Sequence, residues 1–275
     1  MKIQYLGTAA AEAIPGIFCD CDVCRKAREK GGRNIQTRSQ ALIDGKILID
    51  FPGDTYMHAI NNNINLSKIK TCIVTHNHFD HFYPFEIWSR SPGIAYNVDA
   101  PLCFYGTTPT YCMAMAEILK FALDEAGRVK AQRIKPFEPF EVEGYKITPL
   151  KADHDPKCEP VFYMIEKDSK AILYAHDTGI FPEESQEYLK KCGVKFDLVS
   201  LDCTNVLLPF GENHMGLEAD KKVRKMLLEW GAADENTIFV VNHFSHNGGL
   251  IHDDFVPVAE KDGFIVSYDG MTVEF

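Results

Sequence analysis

The chain has 275 residues, of which 45% are apolar and 25% are charged, and this balance excludes an intrinsically disordered protein. Its 39 acidic and 29 basic side chains give a formal net charge of -10, which disfavours binding to long nucleic acids. No apolar run approaches the roughly 18 residues that span a bilayer, and the start MKIQYLGTAA lacks the features of a signal peptide. We therefore expect a cytoplasmic protein that acts on small ligands, with no membrane partner.

The first predicted strand, residues 2–7, is followed by a loop that is rich in cysteine. Cys19, Cys21 and Cys24 are spaced so that three thiolates can converge on one tetrahedral zinc ion. A fourth ligand must come from elsewhere, and His246 is the candidate. Reduced thiols without a metal, or redox chemistry, are the alternatives. The other cysteines stand singly, mostly in apolar surroundings, and are expected to pack in the core.

Short apolar runs bounded by Gly, Asp or Asn predict further strands over residues 41–43, 47–49 and 71–75. The pair Asp44-Gly45 between two of these runs predicts a β-hairpin. Asp168-Ser169, between VFYMIEK and KAILYAHD, predicts a second one. The sequence therefore indicates antiparallel strand pairs in both halves of the chain.

Four potential metal ligands lie within six residues just after the strand-like TCIVT. They are His76, His78, Asp80 and His81. Two imidazoles at a spacing of two can face the same side of an extended segment, while the last two residues lie further along a turn and can face a second ion. This density predicts a metal site with two ions.

One loop cannot complete two coordination spheres, so further ligands are expected at the ends of other strands. His154, Asp177 and His243 each follow a strand-like segment. A carboxylate can bridge two cations whereas a neutral imidazole binds one, so Asp177 is the candidate bridge. His176 is the main ambiguity, but alternation along a strand points it to the opposite face. We interpret His58, His176 and His252 as structural.

Helical spacing predicts helices over residues 110–126, 182–191 and 217–230. Strands and helices are therefore interleaved, and no Ser/Gly linker or short repeat divides the chain. We expect one domain, residues 1–275, with two pseudo-symmetric halves. The apolar segment 110–126 could bury one face against a second subunit, so a homodimer is expected.

The whole pattern resembles the metallo-β-lactamase superfamily, whose signature is His-x-His-x-Asp-His followed by a distant His, Asp and His. The resemblance implies an α/β fold, a four-layer αββα sandwich. It also implies that His76, His78 and His154 bind one metal ion, that Asp80, His81 and His243 bind the other, and that Asp177 bridges them. In that family a carboxylate at the position of Asp50 often orients the metal loop.

The cysteine loop within GTAAAEAIPGIFCDCDVC and the closing VVNHFSH resemble a narrower group, the PhnP-like phosphodiesterases encoded with carbon-phosphorus lyase. In that group the cysteine motif (residues 19–24 here) and a C-terminal histidine, at His246 here, hold a structural zinc ion. A histidine in a His-Met loop acts there as the general acid. The resemblance assigns that role to His214, which lies in the polar segment GENHMG before a predicted helix.

The expected activity is hydrolysis of a small phosphodiester, which is cyclic in some of the candidate substrates. Two divalent ions, zinc or manganese, would activate a bridging water. His214 would protonate the leaving oxygen, and Asp80 would orient the nucleophile or tune His214 besides binding metal. Loops 82–99 and 156–160 would set specificity.

Three other functions stay open at this point. A tRNA 3′-processing endonuclease shares the His-Met loop, but the acidic charge argues against an RNA docking surface. A hydrolase of esters, lactones or thioesters could use the same metal pair. A ligand-sensing scaffold with a disabled centre is disfavoured because all seven expected ligands are present.

Overall fold

Two β-sheets lie face to face in the computed structural model, which describes residues 1–98 and 100–275, and helices cover the outer face of each sheet. The arrangement is the predicted four-layer αββα sandwich. Residue 99, the last of the predicted specificity loop 82–99, lies outside the described residues.

Seven described strands form the first sheet: β1 (Lys2–Gly7), β2 (Gln40–Ile43), β3 (Ile47–Ile49), β4 (Thr71–Ile73), β5 (Leu102–Gly106), β6 (Val129–Arg133) and β14 (Thr272–Glu274). Seven more form the second sheet: β7 (Phe140–Val142), β8 (Tyr145–Lys151), β9 (Val161–Lys167), β10 (Lys170–Ala175), β11 (Leu198–Asp202), β12 (Ile238–Asn242) and β13 (Ile265–Val266).

The two sheets repeat one pattern of strand pairing. The spatial orders are β14-β1-β2-β3-β4-β5-β6 and β13-β12-β11-β10-β9-β8-β7. In each sheet one half is antiparallel, and the strands from β3 to β6 and from β10 to β13 are parallel. Because parallel strands end at the same edge, each sheet brings several strand ends together.

The predicted strands and hairpins agree with this structure apart from small differences at strand ends, and β2, for example, begins at Gln40 and not at residue 41. β4 stops at Ile73, two residues before the predicted end, because the N–H and hydroxyl groups of Thr75 donate to the Asp50 carboxylate. In the first hairpin Asp44 and Gly45 both have positive φ, within a tight turn in which the Lys46 N–H donates to the Ile43 carbonyl. Asp168 also has positive φ in the second hairpin.

Six described α-helices surround the sheets: α1 (Asp22–Lys30), α2 (Thr55–Asn61), α3 (Thr108–Lys120), α4 (Glu183–Lys191), α5 (Leu217–Glu229) and α6 (His252–Ala259). The helix predicted over 110–126 is therefore too long at its end, and Ala122 takes up a positive φ beyond α3. The helix predicted over 182–191 begins one residue later, with Pro182 at its N-cap position.

Burial follows the period of each element. Ile3 and Tyr5 of β1 join Tyr163 and Tyr174 in the core between the sheets. One outer face is covered by α3 through Ala114 and Ile118, and the other by helices that include α5 and α6. The apolar face of α3 packs on its own sheet. A homodimer would therefore have to use exposed residues of this helix such as Leu119, which is 60% exposed, and it stays a prediction.

The described cysteines are all free. Cys72, Cys158 and Cys203 are buried, as expected for cysteines that pack in the core. Cys112 is exposed on α3, so the expectation of a packing role is wrong for it: its helix presents that position to solvent. None of the described helices has the length and apolar character needed to cross a membrane.

Candidate metal centre and active site

The His76 to His81 segment follows β4 as a compact loop that a buried carboxylate holds in place. Asp50, fully buried at the end of β3, accepts hydrogen bonds from the Thr75 N–H and hydroxyl, and its Oδ2 lies 2.7 Å from His81 Nδ1. The carboxylate thus fixes the His81 ring and leaves Nε2 to face the site. This is the orienting position that the resemblance implied for Asp50.

Asp177 lies between the two predicted ligand sets. Its Oδ2 is 3.1 Å from His76 Nε2 and 3.0 Å from His81 Nε2. Its Oδ1 is 3.6 Å from His154 Nδ1 and 3.0 Å from His214 Nδ1. One carboxylate therefore contacts both histidine groups, as a bridging ligand would.

The ligand atoms form two tight groups that share Asp177. His76, His78, His154 and Asp177 offer one ligand atom each within 4.8 Å of one another, and so do Asp80, His81, His243 and Asp177. All seven predicted ligands are thus brought together. Ring nitrogens approach each other closely: His76 Nε2 is 2.9 Å from His78 Nδ1, and His81 Nε2 is 3.1 Å from His243 Nε2.

The charge of the site fits bound cations. Asp50, Asp80, Asp177 and Asp202 are all at most 5% exposed, and within the described residues none of them pairs with Lys or Arg. Buried carboxylates need a compensating positive charge. His154 Nδ1, which is buried without a hydrogen-bond partner among the described residues, points to the same need. The residues present therefore suit two divalent ions.

The imidazole pKa values divide according to their surroundings. Burial lowers the pKa of His76 to about 4 and lowers that of His154. Burial also works against a charged His81, but the carboxylates of Asp50 and Asp80 raise its pKa well above the usual value. Without metal, His81 therefore carries the proton that a cation would displace.

Three residues at the site edge have strained backbones. Asp50, Asp177 and His243 directly follow or lie just beyond β3, β10 and β12, and their φ angles are 66°, 54° and 67°. None is a glycine, although this left-handed region favours glycine. Such strain at buried, non-hairpin positions is typical of functional sites.

Asp202 was not predicted from the sequence, yet it supports the second half of the site. This fully buried residue at the end of β11 accepts hydrogen bonds from the N–H groups of Asp177, Thr204 and Met215. Its Oδ2 is 3.3 Å from His243 Nδ1. The available signal was its place at the end of the apolar strand LVSLD, the same signal that marked Asp177.

His214 lies in the loop before α5, with Nδ1 3.0 Å from Asp177 Oδ1 and 3.4 Å from Asp202 Oδ2. Burial opposes its charged form, but these two carboxylates raise the pKa of His214 to about 11. The ring is 29% exposed and lines the pocket above the metal groups. His214, Asp177, Asp202 and His243 also lie within 4.8 Å, so His214 has the geometry of a ligand as well.

The loop that carries His214 is held by close backbone packing. The N–H of Asn213 donates to Asp153 Oδ2, and Asn205 Nδ2 donates to the His214 carbonyl. A Cβ at Gly179 would lie 2.5 Å from the Gly211 carbonyl oxygen, so only glycine allows this approach. His214 is therefore presented by a fixed loop.

The three cysteines predicted to lie in a loop form a separate group, although Cys24 lies in the first turn of α1 and not in the loop. Cys19, Cys21, Cys24 and His246 have ligand atoms within 4.8 Å of one another, with His246 Nδ1 3.6 Å from Cys21 Sγ. A hydrogen bond from the backbone of Cys24 is the main cause that lowers the pKa of Cys21 to about 7, whereas burial raises that of Cys24 to about 12. Three sulfurs and one imidazole are a donor set suited to zinc.

The histidines interpreted as structural lie outside the metal groups found among the described residues. His176 Nε2 is 2.7 Å from Ser200 Oγ, deep in the second sheet. His58 contacts Thr37 and Gln40, and His252 begins α6.

A match to a known protein family agrees with this geometry. Residues 46–234 match the family described as Beta-lactamase superfamily domain. The chain belongs to the β-lactamase superfamily. That match covers most of the chain, including every predicted ligand of the metal pair except His243. No curated protein sequence matches the chain at a significant level.

Solved structures show the same superfamily fold. A diphosphatase of the PhnP family is 24% identical with a TM-score of 0.74, over 100% of this chain and 98% of that chain. Zn²⁺-bound PqqB from Methylobacterium extorquens is 20% identical with a TM-score of 0.75, over 100% of both chains. Human tRNase Z, short form, is 14% identical with a TM-score of 0.66, over 100% and 99%. At these identities the likeness shows the fold.

Proposed function

We propose that this superfamily member is a metal-dependent hydrolase of a small phosphodiester. The observation that carries the proposal is the position of Asp177, whose two oxygens face the two histidine groups on one side and His214 on the other. A nucleophile and a proton donor would thus stand next to one carboxylate.

Two divalent ions bound there would activate water and neutralise phosphoryl oxygens. The side chains of the site would position the ligands and orient the nucleophile. Asp50 holds the His81 ring, and Asp202 receives the N–H of Asp177, so both halves of the site are fixed before substrate binds. Asp80 contacts His81, with Oδ2 3.4 Å from Nε2, and lines the pocket, where it would orient the nucleophile.

His214 would act as the general acid. Its Nδ1 faces Asp177 and Asp202, which leaves Nε2 for the leaving oxygen of the substrate. The two carboxylates keep the ring protonated at neutral pH in the metal-free protein. A cation on Asp177 would compete for the same carboxylate and bring the pKa of His214 down towards the working range of an acid catalyst.

The test compares two substrates that differ in leaving group, with metal-loaded protein. Loss of a general acid harms a poor leaving group more than a good one. We expect His214→Ala to slow hydrolysis of 2′,3′-cyclic nucleotides by about 10²- to 10⁴-fold and of bis-4-nitrophenyl phosphate much less. His252→Ala, outside the pocket, is the matched control. Metal analysis should give three ions per chain in all three proteins.

Three results would contradict this proposal or its assignment of His214. Equal slowing of both substrates together with loss of one ion would make His214 a metal ligand. A filled metal pair without turnover of any diester would exclude a phosphodiesterase, and esters, lactones and thioesters would be tried next. Cleavage of precursor tRNA that is suppressed by salt would favour the endonuclease alternative.

A further inference from the structure

A further group of potential metal ligands lies beside the metal pair. His78, Asp155 and Cys158 offer one ligand atom each within 4.8 Å of one another. His78 Nε2 is 3.6 Å from Asp155 Oδ2, and Cys158 Sγ is 3.9 Å from the same oxygen. We call these three residues the outer group. Asp155 and Cys158 are outside the predicted ligand sets, so the outer group adds a carboxylate and a thiol to the site.

A short 3₁₀ turn, Pro156–Cys158, brings the carboxylate and the thiol together. Residues three apart in such a turn lie on the same side. Asp155 caps the turn, because its Oδ1 accepts a hydrogen bond from the Lys157 N–H at 3.0 Å. Its other oxygen, Oδ2, is the one that faces His78 and Cys158. The backbone therefore fixes the two added donors relative to each other.

The separations within the outer group suit one small cation. Zinc binds nitrogen and oxygen at about 2.0 to 2.2 Å and sulfur at about 2.3 Å, which places two ligands of a tetrahedral ion roughly 3.3 to 3.6 Å apart. The observed 3.6 Å and 3.9 Å contacts need only a slight contraction to reach that range. Water can supply the fourth ligand, because the Asp155 side chain is 39% exposed. An imidazole, a carboxylate and a thiolate form the donor set of an open zinc site.

The His78 ring connects the outer group to the metal pair. Its Nδ1 is 2.9 Å from His76 Nε2 and 3.1 Å from His154 Nε2, whereas its Nε2 faces Asp155. A neutral imidazole has one nitrogen free to bind metal while the other carries the proton. His78 can therefore serve either group, but only one of them at a time.

Exposure gives the two groups an order. The His78 side chain is 36% exposed, whereas His76 and Asp177 are 1% and 3% exposed. An ion that enters a buried site must give up its water, which is costly unless protein ligands replace that water. The outer group offers three such ligands at the surface. An ion from solvent can thus exchange part of its water there before it reaches the buried ligands.

We propose that the outer group is a loading site, which captures a divalent zinc-like ion and passes it through His78 to the metal pair. His78 Nε2, Asp155 Oδ2 and Cys158 Sγ bind the ion first, and the thiol proton goes to solvent. His76, His154 and His78 Nδ1 then take over the ion. The imidazole proton moves from Nδ1 to Nε2, and a proton from solvent returns to the thiol.

The inference rests on the metal pair of the proposed function and not on its substrate. Its tests therefore measure metal binding instead of turnover. Both use the full chain after a chelator has removed the metal pair, with metal analysis showing one ion left per chain in the group of Cys19, Cys21, Cys24 and His246. Failure of every diester assay would leave these tests intact, and failure of these tests would leave the diester assay intact.

The first test follows the rate at which this protein takes up Zn²⁺ from a chromogenic chelator. Cys158→Ser and Asp155→Asn should each slow the uptake by about 10-fold or more, while the final content stays at three ions. Cys103→Ser removes a half-buried thiol on β5, outside the candidate metal groups, and should take up zinc at the wild-type rate. A lower final content with an unchanged rate would make the two residues supports of the pair and overturn the inference.

The second test uses Co²⁺, because Co²⁺ bound to a thiolate absorbs in the near ultraviolet. Less than one equivalent should produce this absorption early and lose it as the ion reaches the pair, whose ligands contain no sulfur. The transient absorption should be absent from Cys158→Ser and retained in Cys103→Ser. Wild-type uptake rates in both outer-group variants, or an absorption that persists without the Cys158 thiol, would show that ions enter directly through the pocket and would overturn the inference.

Discussion

The Asp202 carboxylate binds three backbone N–H groups from separate segments, and its burial leaves it no solvent to replace them. Thr204 Oγ1 adds a contact, since it lies 3.0 Å from Asp202 Oδ2 and 2.7 Å from His243 Nδ1. Ring orientation at His243 therefore depends on a residue that is outside the predicted ligand sets.

Substitution of Asp202 should weaken the metal centre without unfolding the protein. Asp202→Asn keeps the size of the side chain but removes one acceptor oxygen, so the Asp177 N–H or the Thr204 groups lose their partner. We expect the metal affinity or the hydrolytic rate to fall by about 10- to 100-fold. Competition with a chromogenic chelator measures the first, and unchanged affinity and rate would show that Asp202 plays no orienting part.

At the scale of elements, the segment after β12 serves two centres. His243 belongs to a candidate metal group with Asp80, His81 and Asp177, and His246, three residues later, lies with the three cysteines. Glu12 joins the two regions, because it accepts a hydrogen bond from Ser245 and lines the pocket. A change in the cysteine loop can therefore reach the pocket through a short stretch of backbone.

Removal of one thiolate should cost a single ion. Cys21→Ser is expected to lower the metal content from three ions to two and the Tm by about 5–10 °C, because a structural metal stabilises the loop that it holds. The exposed Cys112→Ser is the matched control. Metal analysis with a thermal melt measures both effects, and a variant that keeps three ions would remove Cys21 from the ligand set.

The sequence predicted those elements whose signals are local. Strand runs, hairpin turns and the dense His76 to His81 segment could be recognised because each is decided by neighbouring residues. Asp202 was missed although it ends the strand LVSLD, since a single aspartate there is also an ordinary turn residue, and two of its hydrogen-bond partners, Asp177 and Met215, are distant in the sequence. The end of α3 was missed because nothing between residues 121 and 126 is a strong helix breaker, yet the backbone turns there.

At the scale of the whole molecule, stability should depend on pH through His58. This residue lies on the buried side of α2, with Nε2 2.7 Å from Thr37 Oγ1 and Nδ1 2.7 Å from Gln40 Oε1 of β2. Burial lowers the pKa of His58 to about 4, although Asp54 opposes that shift. The folded protein therefore keeps this ring neutral at pH values where the unfolded chain, with a pKa of about 6.5, binds a proton.

Because the unfolded chain binds this proton more readily than the folded protein, the free energy of unfolding falls as the pH is lowered. The stabilisation that depends on a neutral His58 is fully present above about pH 6.5 and is lost as the pH falls towards 4. Between pH 7 and pH 5 the free energy of unfolding of the wild type should fall by about 2 kcal/mol more than that of His58→Gln. Urea unfolding of both proteins at the two pH values measures this, and parallel losses would exclude His58 as the source.

The left-handed backbone conformations of Asp50, Asp177 and His243 lower the stability of the fold at the candidate metal centre. Each costs on the order of 1 kcal/mol, which glycine would recover. Selection for heat resistance alone would therefore act against this backbone strain at the candidate metal bridge and at the residues beside it. An engineer who selects for thermal tolerance should therefore retain metal binding as a second criterion in every round.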